Sequence, residues 1–102
     1  MSVLVKKNLP SGTIVLNRPD KRNPLSRQMI ADIVQALDDL HQERKVRAVI
    51  LTGAGTAFCA GMDLAEMQAT ANQPDALQQW HDDAVQYREL IVKMLFFPKP
   101  II

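Results

Sequence analysis

Hydrophobic residues are spaced differently in successive parts of the chain, and each spacing predicts a different type of element. Residues 3–5 and 13–16 are short apolar runs rich in β-branched side chains, which predicts two strands. The turn-forming residues at positions 8–12 predict a hairpin between these strands. Residues 17–24 contain two prolines and four charged side chains, which indicates a loop.

A helical spacing begins after this loop. Ser26 is a suitable N-cap residue, and Arg44 and Lys45 suit the negative end of the helix dipole at the far end. The apolar residues between them recur at three- and four-residue intervals, which predicts an amphipathic helix. These residues are Met29, Ile30, Ile33, Val34, Leu37 and Leu40.

Residues 46–51 predict a third strand. They are apolar except for Arg47, a composition typical of a strand that is covered on both faces. The loop at residues 52–61 follows, with three glycines. Residues 101 and 102 are both isoleucine and resemble the start of a further strand, which favours an incomplete domain.

Two helices are predicted between the loop and these isoleucines. Asp63 and Glu66 have the spacing of a capping pattern at the start of the first helix, and residues 72–74 separate it from the second. The apolar stripe of the second helix consists of Leu77, Trp80, Ala84, Tyr87, Ile91 and Met94. The order of elements indicates one α/β domain over residues 1–102.

Composition excludes several functional classes. The chain has 102 residues, 47% hydrophobic and 23% charged, with a formal net charge of +1, so nucleic acid is not an expected partner. A lone cysteine, Cys59, cannot form an internal disulfide. No apolar run has the roughly 20 residues of a membrane helix, and no signal peptide is visible. We expect a soluble, cytoplasmic protein that makes no contact with membranes.

The glycine-containing loop at residues 53–61 is the candidate for chemistry, because α/β proteins bind ligands beyond the carboxyl ends of strands. Phe58 stands where a dinucleotide-binding loop needs its third glycine, and no Gly-Lys-Ser/Thr sequence is present. Gly61 permits a sharp turn, and the N–H of Met62 lies just outside the helix capped by Asp63. This N–H could stabilise a developing oxyanion. A purely steric strand-to-helix turn is the alternative.

Three segments resemble signatures of the crotonase superfamily, which includes enoyl-CoA hydratases and isomerases. Asn17-Arg18-Pro19-Asp20-Lys21-Arg22-Asn23-Pro24-Leu25-Ser26 resembles the first. Ala48-Val49-Ile50-Leu51-Thr52-Gly53 together with Ala57-Phe58-Cys59-Ala60-Gly61-Met62-Asp63-Leu64 resembles the second. Pro98-Lys99-Pro100-Ile101-Ile102 is similar to the approach to the third. They occur in family order and cover essentially the whole chain.

The resemblance implies a site for an acyl-CoA thioester. The backbone N–H of Met62 would be one of two donors to the thioester oxygen, and Lys21 and Arg22 would lie near the CoA phosphates. Carbonyls of Pro24, Ala60 and Leu64 would meet the adenine, although many relatives have alanine in place of this proline. The implied substrate- and CoA-binding residues are therefore Lys21, Arg22, Pro24, Ala60, Asp63 and Leu64, with acyl-CoA as substrate and no cofactor or metal.

The resemblance also implies a fold and an assembly. Family members form a spiral of ββα units and assemble as trimers or pairs of trimers, and residues 1–102 would be the N-terminal part of such a domain. The family's second oxyanion donor and its acid/base glutamates would lie beyond residue 102, so we do not expect hydratase activity from this chain alone. The alternatives are a non-catalytic fragment that oligomerises or binds a partner, such as a missing C-terminal half, and a CoA-binding module without chemistry.

Other residues that could carry chemistry have simpler interpretations. Cys59 lacks a neighbouring base, and His41 at the end of a helix suits a surface position. His81, Asp82 and Asp83 are adjacent on a helix and do not share one face, which favours a solvated surface over a metal site. Capping explains Asp63 and Glu66 without acid/base chemistry, and burial explains the stripe from Trp80 to Tyr87.

Overall fold

The computed structural model describes residues 2–102, and residue 1 lies outside the described part. Three strands and three α-helices are formed within it, along with a single 3-10 turn at Pro19–Lys21. The strands are β1 (Val3–Asn8), β2 (Ser11–Leu16) and β3 (Ala48–Gly53). The helices are α1 (Arg27–Gln42), α2 (Leu64–Ala71) and α3 (Ala76–Leu95). The predicted α/β class and the order of elements are confirmed.

The sheet has the order β1-β2-β3. Strands β1 and β2 form the predicted hairpin, with Val3 opposite Leu16 and Asn8 opposite Ser11, so the turn is only two residues long. Strand β3 is parallel to β2, with Ile14 opposite Leu51. Helix α1 makes the connection that a parallel pair requires. The loops that follow β2 and β3 therefore emerge at the same edge of the sheet.

Helix α1 supplies most of the core. Five of the six apolar residues that define its predicted stripe are buried, whereas Val34 is half-buried: the buried residues are Met29, Ile30, Ile33, Leu37 and Leu40. They pack against Ile14, Leu16 and Val49 of the sheet. Ser26 is confirmed as the N-cap, because its hydroxyl accepts a hydrogen bond from the Met29 amide at 3.1 Å.

The C-terminal end of α1 differs from the prediction. The helix ends at Gln42, so Arg44 and Lys45 lie beyond it. The Lys99 ammonium group takes their place: its Nζ donates to the carbonyls of Leu40 at 2.7 Å and Glu43 at 2.9 Å. A single cation thus satisfies carbonyls that a helix end leaves unpaired.

Strand β3 also corrects the prediction. It runs from residue 48 rather than 46, and it is not covered on both faces within residues 2–102. Val49 is fully buried because its side faces the core, whereas Thr52 is exposed and Ile50 half-buried on the outer face. Ile101 forms a parallel bridge with Val49, so the predicted strand start at residues 101–102 is paired to the sheet.

Helix α3 packs with only part of its predicted stripe. Leu77 is 81% exposed, while Trp80, Tyr87 and Ile91 are partly exposed. Leu90 and Asp83 are the buried residues of this helix. The prediction of a solvated surface for Asp83 is therefore wrong. None of the helices within residues 2–102 is both long and apolar enough to cross a membrane.

Candidate functional site

The candidate site lies where the loop after β2 meets the loop after β3. Leu25 forms a parallel bridge with Met62, just before α2. The Leu25 amide donates to the Gly61 carbonyl at 2.7 Å, and the Leu25 carbonyl accepts from the Asp63 amide at 3.1 Å. This bridge joins the segment before α1 to the segment before α2, and so it fixes the direction of the backbone at Met62.

The Met62 amide is turned away from Leu25. In an extended segment the N–H and C=O of successive residues point to opposite sides. Because Gly61 and Asp63 use their groups to bond Leu25, the N–H of Met62 points to the other side. Within residues 2–102, this N–H has no hydrogen-bond acceptor. An unbonded backbone donor on a half-buried residue is available to a ligand.

Gly61 creates this arrangement. Its φ of 89° lies in the left-handed region, where a side chain is strained. No heavy atom lies within 4 Å of the position that a Cβ would occupy, so backbone conformation rather than space requires glycine here. The turn therefore sets the orientation of the next peptide, whose N–H is that of Met62.

Asn23 fastens the two loops together and was not predicted as a site residue. It is fully buried, and its φ of 56° is one that asparagine tolerates. Its side-chain Oδ1 accepts from the Arg18 amide at 2.7 Å. Its Nδ2 donates to the carbonyls of Ala54 at 3.0 Å and Ala57 at 2.9 Å. All the polar atoms of this side chain are used to hold the loop at residues 53–61 against the first loop.

Asp63 is confirmed as the N-cap of α2. Its Oδ1 accepts from the Glu66 amide at 3.1 Å, and its Oδ2 pairs with Arg18 at 3.1 Å. Burial alone would raise the pKa of Asp63, but the hydrogen bond from the Glu66 amide and the Arg18 guanidinium outweigh it and lower the pKa. The Glu66 side chain does not return to the cap as the pattern predicted. It accepts from the Arg27 amide at 3.0 Å instead.

An open groove of about 620 Å³ lies against this junction. Five of the six residues predicted to bind substrate or CoA line it together with Met62: these are Lys21, Pro24, Ala60, Asp63 and Leu64. Arg22 is outside the lining and instead ends the 3-10 turn in the left-handed conformation. Arg18 lines the groove as well, and the lining also contains the carboxylates of Asp63 and Glu66. The structure thus brings most of the predicted residues to one place.

A second polar cluster, which the sequence did not reveal, lies beside the groove. The Arg27 guanidinium forms two hydrogen bonds with the Asp83 carboxylate, at 2.7 and 2.9 Å, and a third with Thr70 at 2.7 Å. It joins the first residue of α1 to α2 and α3. The bonds from Arg27 lower the pKa of Asp83, against the opposing effect of its burial. Asp83 lies three residues after Trp80 and four before Tyr87, so it shares a helix face with these apolar residues. This spacing is the sequence feature that could have predicted its burial.

Cys59 and His41 do not line the groove. The Cys59 sulfur accepts from the Gly61 amide at 3.4 Å, and His41 packs edge-on against Phe97. Asp63 and Glu66 are occupied by backbone amides. Within the described residues, no group of three or more His, Cys, Asp or Glu side chains could hold a metal ion.

Comparisons with known proteins agree with one another. Residues 11–102 match the family model described as Enoyl-CoA hydratase/isomerase. The chain is 33% identical over 95 residues to the human mitochondrial Delta(3,5)-Delta(2,4)-dienoyl-CoA isomerase, covering 87% of this chain and 29% of that relative. It is 44% identical over 69 residues to the "Probable enoyl-CoA hydratase echA6" of Mycobacterium tuberculosis, covering 68% of this chain and 28% of that relative.

Comparison with solved structures finds similarity to the same family. The crystal structure of an enoyl-CoA hydratase/isomerase from Xanthobacter autotrophicus Py2 superposes with a TM-score of 0.87 at 32% identity. The match covers 99% of this chain and 37% of that structure. The chain therefore spans about a third of the length of the proteins that it matches.

Proposed function

Because the chain belongs to the enoyl-CoA hydratase/isomerase family of the crotonase superfamily, we propose that it binds an acyl-CoA thioester at the groove beside Met62. In this proposal the Met62 N–H donates a hydrogen bond to the thioester carbonyl oxygen. Such a donor stabilises the negative charge that the oxygen gains when the thioester becomes an enolate. Acyl-CoA is the substrate, and no cofactor takes part.

The observation that carries the proposal is the unbonded amide of Met62. The Gly61 turn and the bridge with Leu25 fix its direction before any ligand arrives. A preorganised donor does not have to reorient during the reaction, which is the source of its catalytic value. Because the donor belongs to the backbone, a methionine side chain at this position is compatible with the role.

The groove also offers groups suited to the CoA portion of the ligand. Lys21 is exposed, and its ammonium can bind a phosphate as a point charge. Arg18 also lines the groove, but its charge is paired with the Asp63 carboxylate at 3.1 Å. We propose that the backbone at Pro24, Ala60 and Leu64 meets the adenine. Arg22 lies outside the groove lining, at the end of the 3-10 turn, so Lys21 is the residue of the predicted phosphate pair that lines the groove.

The whole-protein reaction follows from the same donor. We propose hydration or isomerisation of an enoyl thioester, in which the Met62 N–H and a second donor polarise the carbonyl. Acid/base groups would then add water across the double bond in hydration, or move a proton from one carbon to another in isomerisation. The chain spans about a third of its relatives, and we propose that it supplies only the first donor and the CoA-binding wall. The cytoplasm is the proposed location.

Met62→Pro tests the donor directly, because proline has no N–H. The Met62 amide forms no internal hydrogen bond within residues 2–102, so none of those bonds is lost with it. We expect Met62→Pro to bind the enolate of acetoacetyl-CoA about tenfold more weakly than Met62→Leu, since a hydrogen bond to a charged acceptor contributes about 1.5 kcal/mol or more. The enolate absorbance during titration measures this difference.

Met62→Leu is the matched reference because it changes the side chain and keeps the N–H. Circular dichroism shows whether both variants retain the fold. Equal affinity of two folded variants for the enolate would contradict the role of the donor. Equal loss of affinity for CoA itself would indicate that proline disturbs the groove rather than the donor.

A second candidate function rests on exposed apolar side chains. Leu77, Leu95, Phe96 and Ile102 are each more than 70% exposed. We propose as the alternative that the chain acts as a non-catalytic piece that oligomerises or binds a partner. Light scattering distinguishes the two: a monodisperse monomer that binds acyl-CoA contradicts the alternative, and a stable oligomer without affinity for acyl-CoA supports it.

A further inference from the structure

We infer, on the premise of the proposed function, that the acyl chain of the thioester lies along α3 in two adjacent apolar cavities, and that Tyr87 determines the chain length that the site accepts. Both cavities are separate from the CoA groove. The first cavity shares Met62 with the groove, and the second cavity shares Tyr87 with the first. An acyl group attached to a carbonyl at Met62 is therefore next to the first cavity.

The first cavity has a volume of about 220 Å³. Its walls are the side chains of Met62 and Met67 on one side and those of Trp80, Ala84 and Tyr87 on the other. Thioether and aromatic groups are apolar and polarisable, and they adapt to hydrocarbon. The largely apolar lining of this cavity suits an acyl chain.

Asp83 is the one charged residue in this lining, and its charge is already compensated. Its Oδ1 accepts from Arg27 at 2.7 Å and from Gln79 at 2.9 Å, and its Oδ2 accepts from Arg27 at 2.9 Å. Both oxygens are therefore occupied by donors outside the cavity. The carboxylate therefore presents no unpaired charge to the cavity, and Met67 and Ala84 beside it favour a hydrocarbon chain.

The second cavity begins on the other side of Tyr87. Its volume is about 200 Å³, and no charged residue lines it. Leu25, Phe58 and Cys59 form part of one wall, and Leu90 and Ile91 of α3 form part of the other. Because Tyr87 lines both cavities, we infer that a chain that fills the first meets this side chain before it can enter the second.

The volumes set the expected chain length. A molecule of liquid water occupies about 30 Å³, and a methylene group is of similar size, so the volume of the first cavity, which is open to solvent at Met67, Trp80 and Tyr87, corresponds to roughly seven carbons. We therefore expect medium-chain acyl groups of up to roughly eight carbons, including the carbonyl carbon at Met62. Longer chains require the space behind Tyr87.

Calorimetric titration with acetyl-, hexanoyl-, octanoyl- and decanoyl-CoA tests the inference. For the unaltered chain we expect affinity to rise roughly fourfold per methylene up to octanoyl-CoA, because each buried methylene contributes about 0.8 kcal/mol. Decanoyl-CoA should bind within about twofold of octanoyl-CoA, because the added methylenes remain in water. In Tyr87→Ala, where the cavities join, decanoyl-CoA should bind about fifteenfold more tightly than octanoyl-CoA, because two more methylenes are buried.

Two further variants separate a specific effect from a general one. Tyr87→Phe keeps the ring and should restore the limit at octanoyl-CoA. Leu77→Ala alters an exposed residue on the same helix and should not move the limit. An unchanged profile in Tyr87→Ala, with acetyl-CoA still bound, would overturn the inference alone. Absence of binding by every acyl-CoA, including acetyl-CoA, would instead contradict the proposed function.

Discussion

Asn23→Asp is expected to lower the free energy of unfolding by about 4 kcal/mol at pH 7, since several buried groups lose their partners at once. The substitution keeps the size of the side chain and replaces its two N–H donors by a second acceptor. The carboxylate would then face the carbonyls of Ala54 and Ala57, which now accept from Asn23 at 3.0 and 2.9 Å. A fully buried charge without a cation adds to the loss.

Urea unfolding followed by circular dichroism measures this change. Asn8→Asp is the matched control, because Asn8 is exposed at the end of β1. The deficit of Asn23→Asp relative to the unaltered chain should shrink at pH 4, where a protonated carboxyl regains one donor. A loss no greater than that of the control would show that Asn23 does not hold the two loops together.

Arg27→Met is expected to cost about 3 kcal/mol at pH 7, because it leaves the Asp83 carboxylate largely buried without its cation. This expected loss is at the low end of the range for breaking a buried ion pair, because the Arg27 side chain is 34% exposed. In Arg27→Met/Asp83→Asn the charge is removed as well, and we expect roughly half of the stability to return. Urea unfolding of the single and double variants makes the comparison.

The Arg27–Asp83 pair also predicts that the free energy of unfolding depends on pH. Hydrogen bonds from Arg27 hold the pKa of Asp83 below its ordinary value of 3.8 in the folded chain. Its contribution to stability is therefore fully present above that value and is lost as the pH falls through the folded pKa. Arg27→Met lacks this contribution, so the gap between it and the unaltered chain should narrow below about pH 4. A gap of constant size down to pH 2 would contradict the assignment.

The spacing of apolar residues was sufficient to predict the type and order of the elements. The spacing of Met29, Ile33 and Leu40 predicted a helix whose buried face is the one observed, because a single face of α1 packs against the sheet. Ser26 and Asp63 were recognisable as caps since each bonds an amide three residues away. Local patterns of this kind can be recognised without knowledge of the fold.

Contacts between distant residues were beyond the reach of such patterns. Asn23 bonds carbonyls 31 and 34 residues away, and Arg27 bonds a carboxylate 56 residues away. Lys99 reaches back 59 residues to the end of α1. In sequence each of these polar residues resembles an ordinary surface residue. Their roles depend on how the loops and helices meet, which only the folded chain reveals.

The Met62 amide proton can be observed directly in a ¹H–¹⁵N spectrum of the chain. Hexanoyl-CoA has a thioester carbonyl, whereas the thioether S-hexyl-CoA has the same tail without that oxygen. If the Met62 N–H donates to the thioester oxygen, its proton moves downfield with hexanoyl-CoA and not with S-hexyl-CoA, while the amides of Ala60 and Leu64 respond to both ligands. A Met62 amide that responds equally to the two ligands, or to neither of them when both are bound, would contradict this hydrogen bond.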